Sequence, residues 1–205
     1  SLNGTDAEPF GARPTPFVGL PYAAYLPPGG SWRLQAETAV EFAVCKAPAP
    51  TGGGTCQRIG PERLSVETRG QSTNTRYVTN ILCEGDGVAE SLFVIELRTP
   101  GGHSSSYPPH KHDTDNLPSE TTLEETYYSR FDPPQGFAFQ RIYTDDRSID
   151  EALVLRDGTL SLVPRGYHPC AVCHGYEMYQ LCVMAGPRRQ WRFTNDPDHD
   201  WLVDV

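Results

Sequence analysis

Two histidines two positions apart, His110 and His112 in Pro108-Pro109-His110-Lys111-His112, are spaced to share a ligand. On a strand, residues i and i+2 point the same way, so both imidazoles can reach one point while Lys111 points elsewhere. A carboxylate follows in Leu123-Glu124-Glu125-Thr126-Tyr127-Tyr128, and a third imidazole, His168, closes Pro164-Arg165-Gly166-Tyr167-His168. Imidazole and carboxylate together suit Zn²⁺, Mn²⁺, Fe²⁺ or Ni²⁺. The expectation is a divalent metal site inside a β-barrel. A His-x-His pair alone is more often surface decoration. The stiff Pro-x-Gly approach to His168 is what strengthens the metal reading. Periodicity leaves the glutamate open: if Glu125 faces in, Tyr127 does too, and if Glu124 faces in, Thr126 and Tyr128 do.

The remaining histidines and the cysteines carry less. His103 sits in a Gly-Gly-His-Ser-Ser-Ser loop and is expected in solvent, His174 at the mouth of the pocket, and His199 on a terminal helix. No histidine precedes residue 103, so the first half cannot supply an imidazole-based site. Cys170-Ala171-Val172-Cys173 is a CxxC, but no second CxxC and no βαβ pattern accompany it, so we read it as coincidence in a loop. The six cysteines do not have the spacings of a disulfide framework, which points to reduced thiols in a cytoplasmic protein.

The elements that must position these groups are strands. The 205 residues include 19 Gly and 19 Pro, with strand formers spread throughout and no long helix-period run. That composition favours an all-β sandwich or barrel. The net charge of −9 comes without a basic stripe, so nucleic acid is not an expected partner. No apolar run approaches the roughly 18–20 residues that span a bilayer. Strands are expected within 19–30, at 40–44 as a buried run, around Tyr77-Val78, and at 92–97, 137–143, 153–155, 160–163 and 176–185. Residues 47–54 read as a linker. Along 137–143, Phe137, Phe139, Arg141 and Tyr143 share one face and Ala138, Gln140 and Ile142 the other. Asp157-Gly158 signals a tight hairpin, and Asp196-Pro197 the start of a short helix.

Longer strings carry a resemblance. Tyr107 to Pro118 (YPPHKHDTDNLP), Pro133 to Arg141 (PPQGFAFQR), Tyr143 to Ser148 (YTDDRS), Val163 to Pro169 (VPRGYHP), Met184 to Pro187 (MAGP) and Asn195 to His199 (NDPDH) resemble the 5-deoxy-glucuronate isomerases of inositol catabolism. The likeness runs from about Gly19 to Leu202 and is densest after residue 99. It implies two cupin-type jelly-roll barrels: residues 1–58 as the remnant of an N-terminal, metal-free cupin, and 59–205 as the metal-binding cupin with its tail. Related uronate isomerases have Glu-x-Tyr ahead of an aromatic strand, which maps onto Glu125-Thr126-Tyr127. The implied metal set is therefore His110, His112, Glu125 and His168.

The sequence departs from the generic cupin pattern in three ways. Twelve residues, Asp113 to Glu124, separate His-x-His from Glu125, although this family shares that inserted loop. The Pro-x-Gly turn reaches its histidine one residue early. The family also carries a longer N-terminal portion, so the first barrel is expected to lack its early strands.

The implied reaction converts 5-deoxy-D-glucuronate to 5-dehydro-2-deoxy-D-gluconate, an aldose–ketose isomerisation through an enediol. Its partner is a small sugar acid, and a homo-oligomer is compatible. The candidates for acid–base work are Tyr127, Tyr143 and Arg141, and those for the substrate carboxylate are Arg141, Lys111 and Arg165. Other readings of such a barrel are a non-catalytic metal- and sugar-binding cupin and an Fe-dependent cupin dioxygenase.

Overall fold

A computed structural model of the chain describes residues 1–4 and 9–204. Short apolar alternations broken by Gly and Pro produce strands. In chain order these are β1 (Ala23–Tyr25), β2 (Gln57–Ile59), β3 (Ser65–Arg69), β4 (Arg76–Leu82), β5 (Phe93–Thr99), β6 (Ser104–Ser105) and β7 (His110–Lys111). They continue as β8 (Glu124–Asp132), β9 (Phe137–Tyr143), β10 (Asp150–Arg156), β11 (Thr159–Val163), β12 (Cys170–Val172), β13 (Glu177–Ala185) and β14 (Thr194–Asn195). No helix among the described residues is long and apolar enough to cross a membrane.

A six-stranded antiparallel sheet, β11-β8-β13-β5-β4-β3, faces a four-stranded one, β10-β9-β12-β6. Alternation decides what enters the space between them. In β8 it turns Glu125, Tyr127, Ser129 and Phe131 inward. In β9 it turns Ala138, Gln140 and Ile142 inward and leaves Phe139 and Arg141 outside. Two apolar clusters join the sheets. Phe93, Tyr127, Ile142, Val163 and Met184 belong to one, and Phe131, Ala138, Leu155, Val172 and Met178 to the other. The register sets the layers: Glu125 stands opposite Val163 and Met184, and Met184 opposite Phe93. The architecture is all-β, with the facing sheets of a cupin-type jelly roll.

The N-terminal residues pack on the outer face of the larger sheet. β1 pairs with β2, which straddles residue 58, and Tyr25 and Ile59 join Leu82 and Val94 in a third cluster. Arg13 makes a bidentate ion pair with buried Glu96 at 2.7 and 2.8 Å, and the Tyr179 hydroxyl donates to the same carboxylate at 2.6 Å.

Three local expectations are corrected. Residues 40–44 form no strand: Val40, Phe42 and Val44 are 55%, 54% and 51% exposed. The period-2 pattern supplies a strand face, but no neighbouring strand supplies hydrogen bonds. The segment is instead tethered through Glu41, which accepts from Tyr128 and pairs with Arg130. Asp157-Gly158 does not close a hairpin; it carries the chain from β10 in one sheet to β11 in the other. Its Asp157 side chain accepts the Phe131 N–H at 2.9 Å and pairs with Arg130. After Asp196 comes a turn and then a 3₁₀ segment, Asp200–Asp204, not an α-helix.

Candidate metal centre

Each histidine of the cluster is oriented by main chain. His110 lies in β7, opposite Asn195 of β14, and its Nδ1 is 3.1 Å from the Pro108 carbonyl. His112 follows, with Nδ1 2.9 Å from the Leu123 carbonyl, while the Leu123 N–H returns to the His112 carbonyl at 2.8 Å. His168 is fully buried, with Nδ1 2.9 Å from the Gly166 carbonyl. Gly166 has φ +93°, and a Cβ there would meet the Tyr143 carbonyl oxygen at 2.4 Å, so this approach to His168 requires glycine. A carbonyl can only accept. All three Nδ1 atoms therefore carry the proton, and all three Nε2 atoms present lone pairs.

Ligand atoms of His110, His112 and His168 lie within 4.8 Å of one another. Glu125 Oε2 is 3.0 Å from His112 Nε2 and 3.1 Å from His168 Nε2, whereas Glu124 is exposed. His168 Nε2 has no hydrogen-bond partner although it is buried. Four electron-pair donors thus face one small volume. A divalent cation satisfies all of them, including the orphaned nitrogen, so the donor set fits a metal.

The electrostatics agree. Burial and the neighbouring His168 and His112 push His110 down to about 3, which keeps it neutral. Burial alone would raise Glu125, but the neighbouring His168 and His112 imidazoles hold it well below the usual carboxylate range. Burial also opposes charge on His112, yet its bond to Glu125 outweighs that and raises its pKa.

Around this set lie groups that sequence reasoning missed. Buried Cys182 of β13 donates its S–H to Glu125 Oε1 at 2.6 Å. Ser106 Oγ is 3.1 Å from the Tyr127 hydroxyl, and the Tyr127 ring centre is 6.1 Å from that of His168. Burial, with Glu125 and Cys182 adding to it, holds the Tyr127 phenol well above its ordinary value. Gln140 donates to the His168 carbonyl at 3.4 Å and leaves its buried Oε1 without a partner. Phe193 stacks 4.7 Å from half-buried His110. Period-2 patterning alone puts Gln140 on the face opposite Arg141. Cys182 gave no signal, because only the β8–β13 register brings it to Glu125.

Other expected site residues are committed elsewhere. Arg141 lies on the outer face of β9, bidentate to Asp150 at 2.7 and 2.8 Å. Its guanidinium covers the Tyr143 ring at 4.2 Å, and the Tyr143 hydroxyl donates to Asp196 at 2.7 Å. Lys111 gives its ammonium to Asp113 and Glu120. Arg165 is exposed and donates to Ser148. Strand alternation is the common reason for Lys111 and Arg141: each is an odd neighbour of an inward residue. His103 is not free in solvent but hydrogen-bonded to the Thr75 carbonyl at 2.9 Å. His174 is exposed beside the start of β13, where Glu177 pairs with Asp132, at the opposite end from the Met184–Glu125 pair. All six cysteines are unpaired.

Comparison with known proteins agrees with this geometry. A protein of Geobacillus kaustophilus named 5-deoxy-glucuronate isomerase is 53% identical over 186 residues, which cover 90% of this chain and 66% of that one. A protein of the same name from Bacillus licheniformis is 47% identical, over 98% of this chain and 72% of its own length. The chain thus spans about two thirds of the length of these relatives. The crystal structure of an IolB-like protein from Salmonella typhimurium LT2 superposes with a TM-score of 0.93 at 46% identity, covering 99% of this chain and 77% of that one. Residues 1–202 match one protein family, and the chain belongs to it: the KduI/IolB family.

Proposed function

We propose that this protein is a metal-dependent sugar-acid isomerase that interconverts 5-deoxy-D-glucuronate and 5-dehydro-2-deoxy-D-gluconate. One observation carries the reading: three imidazole lone pairs and the Glu125 carboxylate converge in the barrel of a chain that is 53% identical to a protein named for this activity. His110, His112, Glu125 and His168 are the residues that would hold the ion. When bound, a divalent metal supplies Lewis-acid polarisation of the substrate's carbonyl and hydroxyl oxygens.

The chain's own groups do the rest. Tyr127 keeps its proton at neutral pH and can lend it to the oxygen on which negative charge grows. Ser106 orients that hydroxyl. The free Oε1 of Gln140 is an acceptor for a substrate hydroxyl. Arg141, Tyr143 and Lys111 have no part in this reading, because their polar groups are engaged elsewhere, and Arg165 is an exposed side chain with one bond to Ser148. In the same reading residues 59–205 form the metal-bearing cupin and residues 1–58 belong to a metal-free one.

The test is metal content and turnover of 5-deoxy-D-glucuronate under argon for the wild type, His110→Ala and His168→Ala. The expected result is oxygen-independent conversion by the wild type and loss of both metal and turnover in the variants. Full turnover without metal in either variant would sink the site, and conversion only in air would favour an iron dioxygenase.

A further inference from the structure

We propose that Asp113 is a positioning residue that ties the His168 turn to the His110–His112 strand, held in place by Lys111 and Glu120. This rests on the metal reading above and extends it to what sets affinity. Asp113 Oδ2 accepts the Gly166 N–H at 2.8 Å across 53 residues of chain. The carbonyl of that same Gly166 accepts from His168 Nδ1 at 2.9 Å. One carboxylate, immediately after His112, therefore holds the residue whose carbonyl fixes the tautomer and direction of His168.

The other Asp113 oxygen accepts from Lys111 Nζ at 2.9 Å. Lys111 lies between the two histidines but is buried on the opposite side, where Glu120 Oε1 and Oε2 both accept from it at 3.1 Å. Glu120 Oε1 also accepts the N–H groups of Asp113 and Thr114 at 2.8 and 2.9 Å. Glu120 comes from the stretch between His112 and Glu125, which folds back on itself through an Asn116–Glu120 bridge. Thr121 is anchored to the Arg192 carbonyl at 3.1 Å. The long spacing between His-x-His and the glutamate thus has a physical use: it delivers the buried anion that locks Lys111 and Asp113. Losing the Asp113 carboxylate leaves the buried Gly166 N–H unpaired and frees the carbonyl on which His168 depends.

The experiment is a Co²⁺ titration of the full chain, reading affinity and the visible spectrum of the bound ion, with thermal melting in parallel. Asp113→Ala is expected to weaken Co²⁺ roughly 10- to 100-fold, as other outer partners of metal ligands do, and to change the spectrum. Asp113→Asn, which keeps an acceptor for Gly166, should recover part of both, and it serves alone if the alanine variant does not fold. Asp86→Asn is the control. It breaks a bidentate pair with Arg189 whose carboxylate side chain is 15% exposed, against 16% for Asp113, outside the metal site. Wild-type Co²⁺ affinity and spectrum in the folded Asp113 variants would overturn the proposal. So would an equal loss of affinity in Asp86→Asn. A wild type that binds no Co²⁺ would instead bring down the metal reading, and this proposal with it.

Discussion

Replacing Cys182 by alanine removes one donor from a charged ligand. The thiol lies 2.6 Å from Glu125 Oε1, and both residues are buried, 1% and 3% exposed, so water cannot replace the lost bond. Hydrogen bonds to charged groups contribute about 1.5–3 kcal/mol. The void left by one sulfur is small, so most of the cost falls on the carboxylate. At about 1.4 kcal/mol per factor of ten, a loss of that size weakens metal binding by roughly 10- to 100-fold. Cys182→Ser returns an O–H donor to the same place and should recover most of the affinity. Competitive Zn²⁺ titration of the three proteins, alongside turnover, measures the effect. If Cys182→Ala binds Zn²⁺ as tightly as the wild type, the thiol does not hold Glu125 and the reasoning fails.

Arg141→Ala removes a surface pair with Asp150, costs under about 1 kcal/mol, and should leave kcat and KM near wild type; a large rise in KM would return Arg141 to the substrate. Gly166→Ala forces a side chain into left-handed backbone and against the Tyr143 carbonyl. It should cost more than about 1–2 kcal/mol and lower the Tm by several degrees in a melting experiment. Burial raises the Asp86 carboxyl, but Arg189 and the Val88 and Cys83 N–H groups more than offset this and hold it below its usual value. Its stabilisation is therefore complete above the unfolded value near 4 and fades as pH falls through the lower folded value. The gap in denaturant midpoint between wild type and Asp86→Asn should be widest at neutral pH and close in acid; a gap that widens on acidification would refute it.

How much of this was legible in the sequence depended on distance along the chain. His110 and His112 were readable because i and i+2 share a strand face. Residues 137–143 were readable as a strand for the same reason, with alternation putting Gln140 and Arg141 on opposite faces. What alternation could not say was which face met the core. That is why Arg141 read as a substrate clamp, and why the choice between Glu124 and Glu125 needed the family likeness. Residues 40–44 failed differently: their pattern is that of a strand, but a strand exists only with a partner, and the partner is not written in the segment itself. Cys182 and the Asp113–Gly166 bond depend on register and on contacts across tens of residues, which no local pattern encodes.

The carbonyls of Pro108, Leu123 and Gly166 choose the tautomers of the three histidines. The orientation of the centre is therefore written in main-chain carbonyls, which every amino acid supplies alike. A saturation scan of these positions should give an unusual map. Replacements that keep the main-chain path would be silent whatever their polarity, and sensitivity would concentrate where the path itself demands one residue, Gly166 foremost. Redirecting the imidazoles in the laboratory then calls for moving loops, whereas side-chain exchange acts on the groups around them, Asp113 and Cys182.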